Sequence, residues 1–355
     1  MENTVDEKIR IGIIGVGFMG STHYHIHKAN PKAEVVAIAD VDERKRNGDW
    51  SSIIGNIGGF NNENVDLEGV KAYEDGLDLI ADPNIDMVDI CVPTFLHKKF
   101  AIAALEAGKH VHLEKPIART LAEAKEIVAV AEKAESLFSV GLCIRFWPEY
   151  RAAWELYKSG KIGKLVSATF KRVSPSIAGN AWEDWFMKEE LSGGSLLDLQ
   201  LHDIDEVIYF FGKPKKVTSF GSKGFRSDSN GIDHAISVYD FGDGTLVSTE
   251  GGWDPAPATP FEMSFQIVCE KATLRLSETG YKVIWEDGTI EEPKPASENL
   301  PTGWHVELDY FLDCIINNNK PDDYINKEDM INSITLVEAV KESINNSKTV
   351  EVVYE

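Results

Sequence analysis

Cysteine is scarce. The chain of 355 residues holds four, at positions 91, 143, 269 and 314, and no two stand in C-x-x-C spacing. Scattered thiols of this kind suit a reducing compartment and offer neither a disulfide framework nor a cysteine-based zinc motif. Long apolar runs are missing too, since none approaches the roughly 18 residues that a bilayer-spanning helix requires. Positive charge is in short supply: 36 lysines and arginines face 58 acids, a net charge of −22. Nucleic acids and anionic membranes both need a cationic footprint, so neither is expected as a partner. A small anionic substrate stays open, because a few local arginines override the mean field at short range. Residues 1–10 are polar and acidic. They lack the basic and apolar regions of a secretory signal, and a cytoplasmic location is expected. No internal repeat or low-complexity segment stands out.

What is present is the composition of a globular protein, 43% hydrophobic and 26% charged, long enough for two domains. Up to about residue 142, apolar runs at 10–16, 34–39, 87–92 and 110–113 alternate with helical patterns ending near 30, at 100–107 and at 121–133. That succession predicts a parallel, doubly wound sheet with right-handed crossovers. Between 47 and 70 the pattern breaks into the glycine- and asparagine-rich run GNIGGFNNEN, which reads as a surface insertion without assigned chemistry. Beyond 142 the character changes. Helical patterns at 150–157 and 196–211 precede apolar runs that turn back at Asp243-Gly244, Glu270-Lys271 and Asp287-Gly288, the mark of an antiparallel or mixed sheet. Two helices, about 307–317 and 327–346, and a strand at 349–354 close the chain. Residues 1–142 and 143–355 are therefore expected to form two domains of different class.

The first apolar run leads into Gly15-Val16-Gly17-Phe18-Met19-Gly20. A lone G-x-G-x-x-G is weak, but this one follows a strand, opens a helix and is followed by an acid, Asp40, at the end of the next strand. Gly15 permits the tight turn, Gly17 lets backbone approach a pyrophosphate, and Gly20 allows close packing of helix on strand. Phe18 and Met19 lie inside the same cofactor-binding turn. Asp40 stands where a carboxylate accepts from the adenosine ribose hydroxyls and repels a 2′-phosphate, so NAD is expected over NADP. Arg44 and Lys45 lie near enough to leave NADP open. His23 and His27 are four apart on the same helix, but no third ligand stands near them in sequence. They are read as structural, and no metal is expected.

Asp198 and His202 are also four apart, one turn along a helix of 3.6 residues per turn, and Asp205 falls on that face again. A carboxylate stacked on an imidazole builds a general base of fixed tautomer, and also occurs as an ordinary surface pair.

With the fingerprint, Asp40, the run Cys91-Val92-Pro93-Thr94-Phe95-Leu96-His97, Glu114-Lys115-Pro116 and the run GGSLLDLQLH at 193–202 in this order, the chain resembles the glucose–fructose oxidoreductase / inositol dehydrogenase family. The resemblance spans nearly the whole length. It implies an N-terminal Rossmann domain and a C-terminal α/β domain on a large, open, mostly antiparallel sheet that commonly forms an oligomer interface, here in a homodimer or homotetramer. It implies hydride transfer between a nicotinamide and a ring carbon of a sugar, cyclitol or sugar derivative. Matched by motif, Lys115, Asp198 and His202 form the catalytic set. Pro93, Thr94 and His97 belong to the loop that packs on the cofactor, Glu114 to a nicotinamide-ribose contact, and the bond before Pro116 is expected to be cis. Ser195 departs from the glycine or alanine of many relatives, and the insertion at 47–70 is longer than usual.

Oxidising a secondary alcohol needs a base, a cation for the developing alkoxide and a fixed approach. His202 is assigned as base, Lys115 as donor and electrostatic stabiliser, and Asp198 as orienter or substrate ligand. The roles of Lys115 and His202 are interchangeable at this stage. Asp205 is either a partner behind these groups or a solvated acid. Arg145, Arg172, Trp182, Trp185 and His305 lie in segments expected to border a substrate pocket. For the two tryptophans, a wall for a sugar ring competes with core packing. Two other readings stay in view: an NAD-dependent glycosidase working by transient ring oxidation and elimination, and a non-catalytic NAD-binding sensor.

Overall fold

The computed structural model describes residues 8–55, 64–175, 182–223, 229–293 and 302–354, without the Trp182 side chain. The chain divides into two compact units, Met1–Leu142 with Trp304–Lys327, and Cys143–Gly303 with Glu328–Glu355.

In the first unit, β1 (Ile9–Ile14), β2 (Ala33–Ala39), β3 (Lys71–Tyr73), β4 (Met87–Ile90), β5 (His110–Glu114) and β6 (Phe138–Gly141) form one sheet in the order β3-β2-β1-β4-β5-β6. Every neighbouring pair is parallel. This is the doubly wound arrangement, whose strand order reverses at β1/β4 and opens a ligand crevice beyond the carboxyl ends. Gly15, Cys91 and Lys115 each follow directly on one of the central strands β1, β4 and β5. The strands are apolar because both faces are covered; Ile11, Ile13, Met87 and Val88 are fully buried.

Two expectations are corrected here. The sequence pattern puts residues 304–327 in the C-terminal domain, whereas in the structure they belong to the first unit. The helix Gly303–Asn317 places Phe311, Leu312 and Cys314 in one core with Ile11, Ile13 and Trp50, and Lys32 reaches Asp309 and Asp313 on it at 2.9 and 2.8 Å. The insertion at 47–70 is likewise not wholly superficial. Trp50 is fully buried, meets the Tyr24 ring edge-on at 4.8 Å and donates its indole N–H to the Lys45 carbonyl at 2.9 Å. Residues 56–63 of it lie outside the described residues.

Among the described residues the second unit is built on nine strands: β7 (Leu165–Val173), β8 (Lys216–Lys223), β9 (Ile232–Asp240), β10 (Leu246–Gly252), β11 (Glu262–Cys269), β12 (Ala272–Ser277), β13 (Gly280–Trp285), β14 (Ile290–Glu291) and β15 (Val350–Glu351). Their order is β14-β13-β12-β11-β7-β10-β9-β8-β15. Only β7 and β10 pair in parallel, and the three turns read from the sequence join antiparallel neighbours. Helices Pro148–Lys158 and Leu201–Phe211 lie on one face, where Tyr150 meets Phe265 and Phe170 meets Phe210. On the other, Val166, Phe220, Ile236, Val238 and Leu246 are exposed. No helix among the described residues is long and apolar enough to cross a membrane.

Candidate active-site residues

The glycine turn is shaped as its spacing predicts. Gly15 has φ +89°, and a Cβ there would lie 2.7 Å from the Cys91 carbonyl oxygen; at Gly20 it would lie 1.8 Å from that of Gly15. At Gly17 nothing lies within 4 Å, so backbone is open to approach there. The helix Phe18–Ala29 starts from Gly17 with no side-chain cap and no acid in its first turn. Its N–H groups and positive dipole end are thus left for an anion. Phe18 and Met19 are partly exposed at this end, and Phe18 meets Trp304 edge-on.

Asp40 is pinned beside the turn: its two carboxylate oxygens accept from the backbone N–H of Val16 at 2.7 Å and of Asp42 at 2.8 Å. The neighbouring cations are turned onto local acceptors. Arg44 pairs with Asp42 at 2.8 Å, Arg46 donates to the Asp40 and Val41 carbonyls, and Lys45 lies 3.8 Å from Asp40. A carboxylate is therefore fixed beside the turn, and Arg44 and Arg46 are engaged on local acceptors.

Beyond β4, Pro93 leads into a short turn, Thr94–Leu96, and then the helix His97–Glu106. The His97 ring lies between the Pro116 carbonyl at 2.7 Å and the Val92 carbonyl at 2.9 Å. Burial lowers its pKa, so the neutral ring donates to one carbonyl at a time. At 1% exposed, His97 holds the loop against the Lys115–Pro116 peptide, which is cis. Its part in that loop is positioning. Lys115 is the one residue from Val111 to Ala118 that is not buried.

Glu114 is turned onto partners within the chain. It is 6% exposed; one oxygen accepts from the Lys115 N–H at 3.0 Å and the other lies 3.3 Å from His23 Nε2. Burial alone would raise its pKa, but the His23 hydrogen bond and charge hold it below the usual range. His23 and His27 both meet Asp89 Oδ2 at 3.0 Å, and Cys91 Sγ lies 3.4 Å from His23 Nδ1. His112 packs 5.6 Å from the His23 ring, and burial drives its pKa down to about 4. This cluster escaped the sequence reading because β4 and β5 deliver Asp89, Cys91 and His112 from far along the chain. The available signal was a polar residue inside each of two buried strands, MVDI and HVHLE.

In the second unit, Asp198 and His202 do not stand on a plain α-helix. Leu196–Gln200 forms a π-turn that runs into the helix Leu201–Phe211, a feature that often marks functional sites. The wider turn keeps positions four apart on a similar bearing. Asp198 and His202 are partly exposed, whereas Leu196, Leu197, Leu199, Gln200, Leu201 and Asp203 are buried. The turn is anchored from below. Ser195 Oγ donates to the Ile232 carbonyl at 2.6 Å, Gln200 Nε2 donates to the Ala235 carbonyl at 3.1 Å, and Leu199 packs with Met187 and Trp253.

Asp205 does not share that face. It is buried and takes the Arg145 guanidinium on both oxygens at 2.8 Å, with Ser333 Oγ at 2.6 Å. The substrate role expected of two arginines is corrected on the same ground. Arg145 is spent on Asp205 and Asp329, and Arg172 on Asp203 at 2.9 and 3.1 Å; both are at most 2% exposed. Trp185 is partly exposed and stacks on Phe186 with ring centroids 4.0 Å apart; the Trp182 side chain lies outside the described residues. His305 sits at the start of Gly303–Asn317, beside the Trp304 that meets Phe18, and so belongs to the first unit.

Residues 9–142 match the family described as an oxidoreductase family with NAD-binding Rossmann fold, and residues 150–275 match the GFO/IDH/MocA C-terminal domain. Myo-inositol 2-dehydrogenase of Thermotoga maritima is 31% identical over 245 residues, 67% of this chain and 66% of that protein. Levoglucosan dehydrogenase of Pseudarthrobacter phenanthrenivorans is 30% identical over 213 residues, 58% of this chain and 52% of that protein. The chain thus spans just under two thirds of the one relative's length and about half of the other's. A solved levoglucosan dehydrogenase in complex with NADH superposes with a TM-score of 0.82 at 22% identity, covering 98% of this chain and 100% of that one, a likeness of fold. On the two matched domains, which together take in more than half of its residues, the chain belongs to the GFO/IDH/MocA oxidoreductase family.

Proposed function

We propose that this chain is an NAD-dependent dehydrogenase acting on a secondary hydroxyl or ketone of a sugar, cyclitol or sugar derivative. The observation that carries this reading is the cradle at Gly15–Gly20: an uncapped helix N-terminus, open space over Gly17 and Asp40 fixed beside it. When bound there, a nicotinamide dinucleotide supplies the hydride acceptor or donor. Gly17 and the first N–H groups of Phe18–Ala29 hold its pyrophosphate. Asp40 takes the adenosine ribose hydroxyls on its remaining lone pairs and disfavours a 2′-phosphate, which selects NAD. The family match and the inositol and levoglucosan dehydrogenases among the relatives support the substrate class.

Lys115, partly exposed within an otherwise buried segment, donates to the substrate oxygen and stabilises its negative charge. His202 removes the hydroxyl proton, Asp198 orients it or the substrate, and Trp185 presents an apolar wall to a ring. The open face carrying Phe220 and Leu246 supports self-association through the nine-stranded sheet, as a homodimer or homotetramer.

The test is an NAD-reduction screen over free sugars, cyclitols, anhydrosugars and nucleotide sugars. Reduction of NAD by at least one class is expected. Release of an aglycone without net NADH would point to the glycosidase chemistry, and NAD binding with no turnover of any kind to a sensor. Lys115→Ala should keep NAD binding and lose roughly 10²- to 10⁴-fold in turnover; near-normal turnover removes Lys115 from the reaction. His202→Asn should lose the limb of the pH–rate profile near neutrality, and a double variant with Lys115→Ala should fall short of the product of the two losses if both groups serve one step.

A further inference from the structure

We propose that the first unit holds a buried site for one divalent late-transition cation, zinc by preference, ligated by His23 Nδ1, the Asp89 carboxylate and Cys91 Sγ, with an imidazole of His27 or His112 completing the shell. The three donor atoms lie within 4.8 Å of one another. Their separations are 3.0 Å (His23 Nδ1 to Asp89 Oδ2), 3.4 Å (His23 Nδ1 to Cys91 Sγ) and 3.5 Å (Cys91 Sγ to Asp89 Oδ1). Zinc bonds of about 2.0–2.1 Å to nitrogen or oxygen and about 2.3 Å to sulfur set tetrahedral edges of about 3.3 Å, and about 3.5 Å where sulfur takes part. The observed separations fall close to those edges before any ion has drawn the groups together.

Two further observations point the same way. A ligating histidine characteristically turns its other nitrogen to a carboxylate, and His23 Nε2 faces Glu114 Oε1 at 3.3 Å. Imidazole is also in excess. His112 is fully buried, and neither of its ring nitrogens has a hydrogen-bond partner among the described residues; His27 Nδ1 has none either. Buried polar atoms left this way are costly, and a cation gives one of these rings a task. Cys91 is only partly buried, which provides the route of entry.

One thiolate with imidazoles and a carboxylate suits zinc, and cobalt(II) as its spectroscopic substitute. On binding, the Cys91 S–H proton and the His23 Nδ1 proton that faces Asp89 pass to solvent, and the freed sulfur and nitrogen lone pairs form the metal bonds, while His23 keeps its proton on Nε2 toward Glu114. The ion would tie the helix Phe18–Ala29 to the end of β4, directly behind the glycine turn. Three donors are in place; with an imidazole in the fourth position no open position would be left, so the role is structural, and the site stands independently of the dehydrogenase reading.

The test uses full-length, tag-free protein from zinc-supplemented culture, stripped of loose metal on a chelating resin. Elemental analysis should give about one zinc per chain. Cys91→Ser should cut retained zinc by about tenfold or more, and Glu114→Gln should weaken affinity by about 10- to 100-fold. Cobalt-loaded protein should show a thiolate-to-cobalt charge-transfer band that Cys91→Ser lacks. Where that variant does not fold, the band in the unaltered chain decides. Substoichiometric zinc with no such band overturns the site, as does full zinc retention by folded Cys91→Ser.

Discussion

Each unit buries a cluster of ionisable side chains, and the two clusters are built on opposite principles. Beneath the helix that carries His202, Arg145 forks onto Asp205 and reaches Asp329, while Arg172 forks onto Asp203. Arg145 also stacks on Tyr209 with its guanidinium carbon 4.3 Å from the ring centre. Burial would lower both guanidinium pKa values, but the facing carboxylates raise them, and planar forks matched to carboxylates leave little unpaired. Behind the glycine turn, three imidazoles, two carboxylates and a thiol meet with donors to spare. Buried charge paired in fork geometry serves as scaffold. Where the match fails, capacity to bind or to move a proton is left over.

The strongest way to break that contrast is Arg145→Met. Removing one partner of a buried ion pair leaves charge uncompensated, and a loss of about 3–5 kcal/mol is expected in denaturant unfolding. Turnover per folded molecule should hardly change. Arg145→Met combined with Asp205→Leu should recover much of the loss, since matched apolar groups replace buried pairs well. A stable Arg145→Met with collapsed turnover would instead put the guanidinium on the substrate, and the second cluster would no longer be scaffold.

Much of this was legible beforehand, and what was not has a physical reason. Strands β1, β2, β4 and β5 announce themselves as apolar runs, the glycine turn by spacing, and the hairpins by their Asp-Gly and Glu-Lys turns. Local chemistry suffices for such features. Phe138–Gly141 went unread as a strand because four residues carry too little pattern. The arginines, Arg172 near a strand end and Arg145 in a short turn, read as solvent-facing because the acid that each one meets is not known from the sequence. Asp205 lies 60 positions from Arg145 in sequence. The π-turn was hidden by the same logic, since its one extra residue leaves the apolar pattern of 196–211 unbroken.

A smaller effect sharpens the contrast from within the second cluster, where Glu206 is the exception. It is fully buried, and neither carboxylate oxygen has a partner among the described residues. Burial first, then the charge of Asp205, raise its pKa well above the ordinary value, with Arg145 opposing. A folded-state pKa above the unfolded one favours the protonated form. Its contribution is complete below the ordinary glutamate range and is lost as pH rises through the folded value. Glu206→Gln removes that loss, so it should raise Tm more at about pH 8 than at about pH 4, by an amount corresponding to about 1–2 kcal/mol. An equal change at both ends would mean that Glu206 is ionised or paired in the fold.

The smallest effect belongs to the neutral bonds that set the π-turn. Ser195→Ala takes away the 2.6 Å hydrogen bond to the Ile232 carbonyl, and a single neutral bond of this kind is worth about 1 kcal/mol net. Thermal unfolding should register that loss, while the pH–rate profile keeps its shape because Asp198 and His202 remain held by Gln200 and by Leu199 in its apolar cluster. A profile displaced without a fall in Tm would show that Ser195 governs the bearing of His202 and not the stability of the turn. A loss as large as that of Arg145→Met would show that neutral bonds carry this unit as fully as the guanidinium forks do, and the distinction between matched charge and ordinary scaffold would not stand.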